Sequence, residues 1–528
     1  MLTMFAQTGA MMRRLAHPAP LSRPGAAPAA PRPEILLGVA ALAIWLGVRR
    51  GVPLMSDVVW QFWIARQLLG GARLYSEIWE VNPPLWFWSA VPVEWLAERT
   101  GLDWQALLQA VVIGLGAFSA WLVGRLVAGS SPAARAILSL LVFAMTTVVP
   151  VLALAQREQI VLVTSLPYCA LIARRRAGRA VSAPAAAAIG ALAAFGFALK
   201  HYFVLAPLLL EGWLALRLAR RWRPWRPELV VLAALAIAYA GAILILTPDF
   251  FGRMVPLVRI AYHAFQPGWL FLAVKPYTLF WLLAVLWLVL VRNEPLKPAS
   301  PELEAFAGAL LLFAASGAVA YGLQGRGWDY HSVPASGALG IAIGLRLKRL
   351  RQPVPLALGV ALLAWMAVCV YPVRPYPDHD PALDRVASGE SVFVAAINAD
   401  RAWPVPDRHR LVWAPRTYSM WMVPAIAEGE LLRRQTPALR SLSAHVLTAM
   451  SEDIRCHPPA LILIQREPVL ATAHARFELA RFLFRDPALS HFVAEHYRPL
   501  PPSGDMLGFA RQGRPAPPGG SSCRAIRA

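Results

Sequence analysis

The chain has 528 residues, of which 57% are hydrophobic and 15% charged, and its mean hydropathy is +0.49. A soluble domain carries about 25% charged residues, so this composition excludes an ordinary soluble protein and favours a membrane protein. The formal net charge of +21 does not indicate a nucleic-acid-binding protein, because the cations stand in short clusters between apolar runs and form no basic stripe.

Residues 1–33 are rich in Ala, Pro and Arg and lack a compact apolar core, so we expect a disordered cytoplasmic leader and not a signal peptide. Residues 34–372 hold recurring apolar runs that approach the length of a bilayer span. Spans are predicted near 35–50, 104–124, 133–152, 159–173, 181–199, 202–219, 228–247, 269–291, 303–323, 328–346 and 354–372. This part of the chain is predicted to be a transmembrane domain.

Arginine clusters orient the predicted spans. Arg174 to Arg176, Arg220 to Arg226 and Arg346 to Arg351 fall in alternate loops. Placing these clusters and the leader in the cytoplasm gives about eleven spans and puts the C-terminus outside. The apolar segment 84–97, interrupted by Glu94, is either a re-entrant or interfacial helix or one of an extra pair of spans, so the expected total is about 11 to 13.

The first outer loop, residues 51–103, begins with the feature that we take as the chemical centre. Asp57 lies just past the first apolar run, and an aromatic- and proline-rich stretch from Asn82 to Trp88 follows it. A carboxylate at the edge of lipid is costly and usually functional.

Further outer loops place ionisable groups at helix ends on the same face of the membrane. They include Arg157, Glu158, Lys200, Arg326 and His331. Long side chains that extend towards water and interfacial aromatic belts would explain many polar and aromatic residues here. These two explanations do not account well for a lysine or an Arg-Glu pair between strongly apolar runs. We therefore expect a functional role for these residues, with the loops together forming one cavity.

Residues 373–511 are polar, punctuated by proline and free of spans. The runs Ser391 to Ile397 and Ala460 to Ile464 read as buried strands, and Ala471 to Phe484 reads as a helix. We expect a small extracytoplasmic α/β domain followed by a disordered tail, residues 512–528, and we find no catalytic motif in it. Four cysteines without CxxC spacing argue against a metal site, and a Cys456–Cys523 disulfide stays open.

The pattern resembles the GT-C superfamily of integral-membrane glycosyltransferases, among them bacterial proteins grouped with dolichyl-phosphate-mannose protein mannosyltransferases and lipid A aminoarabinose transferases. The resemblance rests on motifs in the first outer loop and at three later helix ends. They are Asp57, Gly71, Leu74 and Tyr75, Pro83 to Trp88, Arg157-Glu158, Lys200, and Gly327 to His331 with Pro334. The chain departs from better-known relatives at Val58, where an acidic pair is usual, and at Asn82, where some have lysine.

The resemblance implies an all-α polytopic membrane bundle with a small C-terminal α/β domain in a bacterial inner membrane. It implies transfer of a sugar from a polyprenyl-phosphate donor to an acceptor hydroxyl on the outer face, with inversion. Asp57 would be the general base, and three cations would hold the leaving phosphate: Arg157, Lys200 and Arg326. Glu158, Tyr75, Trp328, Tyr330 and His331 would contact the acceptor or the sugar.

The acceptor class, whether glycan, lipid or protein, stays open. Whether the protein uses a divalent cation also stays open. The main rival is a flippase or transporter of lipid-linked sugars, although no internal repeat of the kind typical of transporters is visible. A polysaccharide polymerase or ligase would need a larger outer loop than residues 247–268. A non-catalytic scaffold would leave Asp57 and Lys200 unexplained.

Overall fold

The structure, a computed structural model, describes residues 52–129, 131–370, 379–470 and 475–513. The predicted leader, the first predicted span at 35–50, Cys523 and the tail beyond residue 513 lie outside the described residues.

Helices account for most of the membrane domain, and the chain is a multi-pass membrane protein. They are α1 (Ser56–Leu69), α2 (Leu85–Thr100), α3 (Trp104–Val127), α4 (Pro132–Phe143), α5 (Arg157–Arg176), α6 (Ala183–Ala198), α7 (Leu205–Leu218), α8 (Pro227–Leu246), α9 (Val255–Ala261), α10 (Trp269–Ala273), α11 (Pro276–Leu290), α12 (Pro301–Gln324), α13 (Val333–Leu347) and α14 (Pro353–Trp365). Five described segments are long and apolar enough to cross a membrane: Trp104–Val127, His201–Arg221, Pro227–Leu246, Pro276–Asn293 and Pro301–Gln324.

Helix α5 forms the centre of the bundle. Its residues from Arg157 to Ala173 are all buried, and it packs against α3, α6 and α12. Helix α8 is the opposite case, because Glu228 and Ile243 are its only buried residues although it is almost wholly apolar. A helix that exposes apolar side chains all round suits lipid. Gly190 of α6 lets α8 approach closely, since a Cβ there would lie 2.5 Å from the Glu228 carbonyl oxygen.

The two ends of the bundle differ in chemistry. Helix α5 has Arg157 at its start and Arg174 to Arg176 at its end, and 20 residues of helix separate the two by about 30 Å. Near the arginine-rich end, Arg175 and Arg226 pair with the fully buried Glu228. The arginine clusters that were predicted in alternate loops therefore lie at one end of the helices, here called the arginine end. The opposite end, where Arg157 begins α5, is called the cavity end.

The predicted span 269–291 differs from the structure, which divides it into α10 and α11. Lys275 is extended because Pro276 follows it, and proline disfavours helical geometry in the preceding residue. Residues 247–268, expected as a loop, are helical from Phe250 to Phe265 and include α9.

Beyond the bundle, the C-terminal region forms an α/β domain. Its strands are β1 (Ser391–Ala395), β2 (Val412–Trp413), β3 (Leu461–Gln465), β4 (Val469–Leu470), β5 (Ala475–Arg476), β6 (Tyr497–Pro499) and β7 (Met506–Arg511). One sheet has the order β2-β1-β3-β7-β6, in which β1 pairs in parallel with β2 and β3. The helices are α15 (Val405–Arg408), α16 (Val423–Leu431), α17 (Pro437–Cys456), α18 (Leu479–Leu483) and α19 (Pro487–His496).

The two strands predicted in this domain are present as β1 and β3. The single helix predicted over Ala471 to Phe484 is wrong in its described part, which holds β5 and the short α18. Strand β5 pairs with β4 in an antiparallel ladder, and these ladder hydrogen bonds replace the expected helical ones.

The domain is anchored on α1. Arg66 of α1 contacts Glu94 of α2 at 2.8 Å and Asp407 of the domain at 3.4 Å. The Trp60 ring stacks on Trp63 at 4.4 Å and meets Trp403 of the domain edge-on at 5.4 Å. Offset and edge-to-face pairs of this kind add to the apolar burial, so the domain fixes the helix that begins beside Asp57.

Candidate active-site cavity

A cavity of about 1040 Å³ lies between the cavity end of the bundle and the C-terminal domain. Its wall comes from the starts of α1 and α5, the loop before α2, the ends of α6, α8 and α12, and two loops of the domain. The outer loops that the sequence predicted to converge therefore do line one cavity. Its volume suits a ligand larger than most drug-sized molecules.

Asp57 lies in the first turn of α1 and is half-buried on the cavity wall. A carboxylate in a first helical turn is stabilised by the helix dipole. The Gln156 side chain approaches it, with Nε2 at 3.5 Å from Oδ2. Asp57 thus keeps access to the cavity while its backbone is fixed by the start of the helix.

A second acid, Glu80, organises the loop before α2. It is almost completely buried, and its carboxylate accepts hydrogen bonds from the Trp60 indole (2.8 Å), the Asn82 backbone N–H (2.9 Å) and the Asn82 side chain (2.7 Å). Burial raises the pKa of Glu80, against the lowering effect of these hydrogen bonds. Asn82 is therefore a structural partner of Glu80.

Arg157 is a buried cation on the cavity wall that has unused hydrogen-bonding capacity. Only 2% of it is exposed, and its guanidinium lies 4.2 Å from the centre of the Trp86 ring. Its Nε and Nη1 are buried without a hydrogen-bond partner, although it lines the cavity. Leaving donors of a charged group unsatisfied is costly, so an anionic ligand would complete this site.

Lys200 also lines the cavity, but the protein already engages its ammonium. The Nζ atom contacts Glu158 Oε1 at 2.5 Å, Gln324 Oε1 at 2.9 Å and His331 Nε2 at 3.3 Å. Burial lowers the pKa of Lys200 to about 8, against the raising effect of Glu158. The lysine therefore contributes charge near the cavity, and its three donors serve a buried network.

The loop from Arg326 to His331 forms another part of the wall. Arg326 donates from Nη1 to the Tyr262 carbonyl at 2.5 Å and lies over the Tyr262 ring. Trp328 is exposed, whereas Tyr330 is buried. The Tyr330 and His331 rings meet edge-on at 4.6 Å. Aromatic faces and a guanidinium thus stand side by side in this loop.

Of the site residues predicted from sequence, seven line the cavity: Asp57, Arg157, Lys200, Arg326, Trp328, Tyr330 and His331. Glu158 and Tyr75 are not part of its wall. Glu158 is fully buried and binds Lys200. The fully buried Tyr75 donates its hydroxyl proton to the Asn82 carbonyl at 2.6 Å, so its contact is with the loop and not with the cavity.

The wall also holds charged residues that were not among the predicted site residues, including Arg259, Lys275 and Asp400. Pro276 could have revealed Lys275, because it predicts a helix break there. Asp400 carries no local signal, since it belongs to a polar region far along the chain. Among the described residues, no group of three or more His, Cys, Asp or Glu could hold a metal ion.

No protein-family profile matches the chain, and no curated protein matches it by sequence. Solved structures do match. ArnT from Cupriavidus metallidurans bound to undecaprenyl phosphate aligns with a TM-score of 0.54 at 16% identity, covering 90% of this chain and 97% of that one. The chain shares the fold of ArnT. The apo structure of ArnT gives a TM-score of 0.51 at 15% identity over the same shares, and at these identities the likeness establishes the fold alone.

Proposed function

We propose that this protein is a GT-C glycosyltransferase that moves a sugar from a polyprenyl-phosphate donor to an acceptor hydroxyl. The observation that carries the proposal is one cavity in which the half-buried Asp57 and the unsatisfied guanidinium of Arg157 both line the wall. The likeness to ArnT, whose structure contains undecaprenyl phosphate, supports a polyprenyl phosphate as the donor lipid.

The donor phosphate would bind on the bundle side of the cavity. Arg157 has two buried N–H groups to offer, and arginine matches the geometry of phosphate oxygens. Lys200 and Arg326 add positive charge nearby while holding their own protein partners. Cations placed where negative charge develops stabilise the leaving group in the transition state.

Asp57 would act as the general base. As the acceptor oxygen attacks the anomeric carbon, its proton passes to the Asp57 carboxylate and the new C–O bond forms. The bond from that carbon to the phosphate oxygen breaks, and the electron pair leaves with the phosphate. Attack opposite the leaving group gives inversion. The phosphate is already a stable anion, so this step needs no general acid.

Trp328, Tyr330 and His331 would line the sugar-binding part of the cavity. We place the protein in a bacterial inner membrane, with the arginine end in the cytoplasm and the C-terminal domain outside, because clustered arginines favour the cytoplasmic side. The sugar and the acceptor class are left to experiment, and the rival function is movement of a lipid-linked sugar across the membrane.

The proposal is tested by reconstituting the purified protein in vesicles made from total lipids of the organism that encodes it. A panel of undecaprenyl-phosphate-linked labelled pentoses and hexoses is then added. We expect one donor to pass its label to a vesicle lipid or glycan, with release of undecaprenyl phosphate. Movement of an intact donor between leaflets without release of undecaprenyl phosphate would instead establish the flippase.

A further inference from the structure

The C-terminal domain carries a carboxylate into the cavity. Asp400 belongs to the short helical turn Ala399–Arg401, which follows strand β1, and Ile397, Asn398 and Asp400 all line the cavity. Strand β1 lies between two parallel neighbours. Ligands of open α/β sheets bind beyond the carboxyl ends of such strands, which is where this turn lies.

Asp400 is tied directly to the residue beside Asp57. The buried Ser56 hydroxyl donates to Asp400 Oδ1 at 2.6 Å, joining residues that are 344 positions apart in the chain. Burial raises the pKa of Asp400, and the nearby Asp57 adds to this effect. The two carboxylates therefore share one rim of the cavity, one supplied by the bundle and one by the domain.

We propose that Asp400 is a positioning residue for the acceptor, which it holds beside Asp57 by accepting hydrogen bonds from hydroxyl groups. This inference rests on the proposed glycosyltransferase function. A carboxylate repels the donor phosphate, so the phosphate belongs with Arg157 and the other cations. A hydroxyl-rich ligand suits a carboxylate acceptor, because each O–H donates to an anionic oxygen in a strong hydrogen bond.

Trp421 adds an aromatic face to the cavity wall, and its ring meets the Tyr262 ring edge-on at 6.1 Å. It belongs to the same domain, lines the cavity and is only 6% exposed. Its indole N–H is buried without a hydrogen-bond partner, and a buried Trp N–H usually has one. The same cavity wall therefore offers a carboxylate from Asp400 and an aromatic ring from Trp421, and this combination suits a polyhydroxylated acceptor head group.

The test uses the donor that is active in the vesicle assay and measures transfer while the acceptor labelled in that assay is titrated. In Asp400→Asn, we expect the amount of acceptor needed for half-maximal transfer to rise at least tenfold. The maximal rate and the half-saturating donor concentration should stay within about threefold of wild type, since one or two hydrogen bonds to the acceptor are lost. Trp421→Phe should shift the acceptor requirement in the same direction by less, and Asp400→Glu should recover part of the loss.

Asp384→Asn is the matched control, because Asp384 lies in the same domain, pairs with His379 and is no part of the cavity wall. It should leave both half-saturating concentrations unchanged. An unaltered acceptor requirement in Asp400→Asn, or an equal rise in the donor requirement, would overturn the assignment. If wild type transfers none of the labelled sugars, the proposed function itself fails and this inference fails with it.

Discussion

The buried pair formed by Lys200 and Glu158 allows a quantitative prediction about stability. Its two charged atoms are 2.5 Å apart, and the side chains are 7% and 0% exposed. Removing one member of a buried ion pair leaves an uncompensated charge, which costs about 3–5 kcal/mol. Glu158→Gln should therefore lower the free energy of unfolding by about 3 kcal/mol, the low end of that range, because Gln324 and His331 still contact the ammonium.

Lys200→Met should be destabilising by a similar amount, since it leaves the Glu158 carboxylate buried without its cation. The double variant removes both charges, so its loss should be smaller than the sum of the two by about 2 kcal/mol. Equilibrium unfolding in mixed detergent micelles measures all four proteins. Strictly additive losses would refute the coupling.

A control for this cycle is the ion pair between Arg179 and Glu302, in which the arginine is 64% exposed. Solvent-exposed pairs contribute about 0–1 kcal/mol, so Glu302→Gln should change the free energy of unfolding by less than about 1 kcal/mol. If Glu302→Gln lowered the free energy of unfolding as much as Glu158→Gln does, burial of the ion pair would not explain its contribution to stability.

Two further predictions concern the cations of the cavity. Arg157→Gln should weaken the binding of undecaprenyl phosphate by roughly 100-fold, because two charge-assisted hydrogen bonds contribute about 3 kcal/mol together. Titration of the lipid into protein in nanodiscs measures the affinity, and a loss below about threefold would contradict the phosphate site. The exposed Arg223, which is no part of the cavity wall, provides the control Arg223→Gln, which should bind as wild type does. The pH dependence of sugar transfer should follow the charge of Lys200, whose pKa is lowered to about 8. The positive charge is complete well below that pH and is lost as the pH rises through it. Transfer should therefore fall above about pH 8. Lys200→Arg keeps its charge at these pH values and should move the fall to higher pH, whereas the same alkaline fall in both proteins would assign it to another group.

The sequence was most informative where the signal was local. Apolar runs and arginine clusters predicted α5 and α12 closely, because hydropathy and charge act over a single helix. The two short apolar runs in the C-terminal region similarly predicted β1 and β3. Asp57 and Arg157 could be singled out because an ionisable group at the edge of an apolar run is rare.

The partners of these residues could not be predicted, because they come from distant parts of the chain. Lys200 contacts Gln324 and His331, which are 124 and 131 positions away. The contact of Ser56 with Asp400 crosses from the membrane domain to the C-terminal domain. Such contacts depend on how helices and domains pack, and no periodicity within a segment encodes them.

The most direct test of the account is sugar transfer by Asp57→Asn. Asparagine keeps the size of the side chain but cannot accept the acceptor proton, so transfer should fall by about two to four orders of magnitude while binding of undecaprenyl phosphate and the unfolding midpoint stay unchanged. Transfer at the wild-type rate by a correctly folded Asp57→Asn would remove Asp57 as the base and contradict the mechanism.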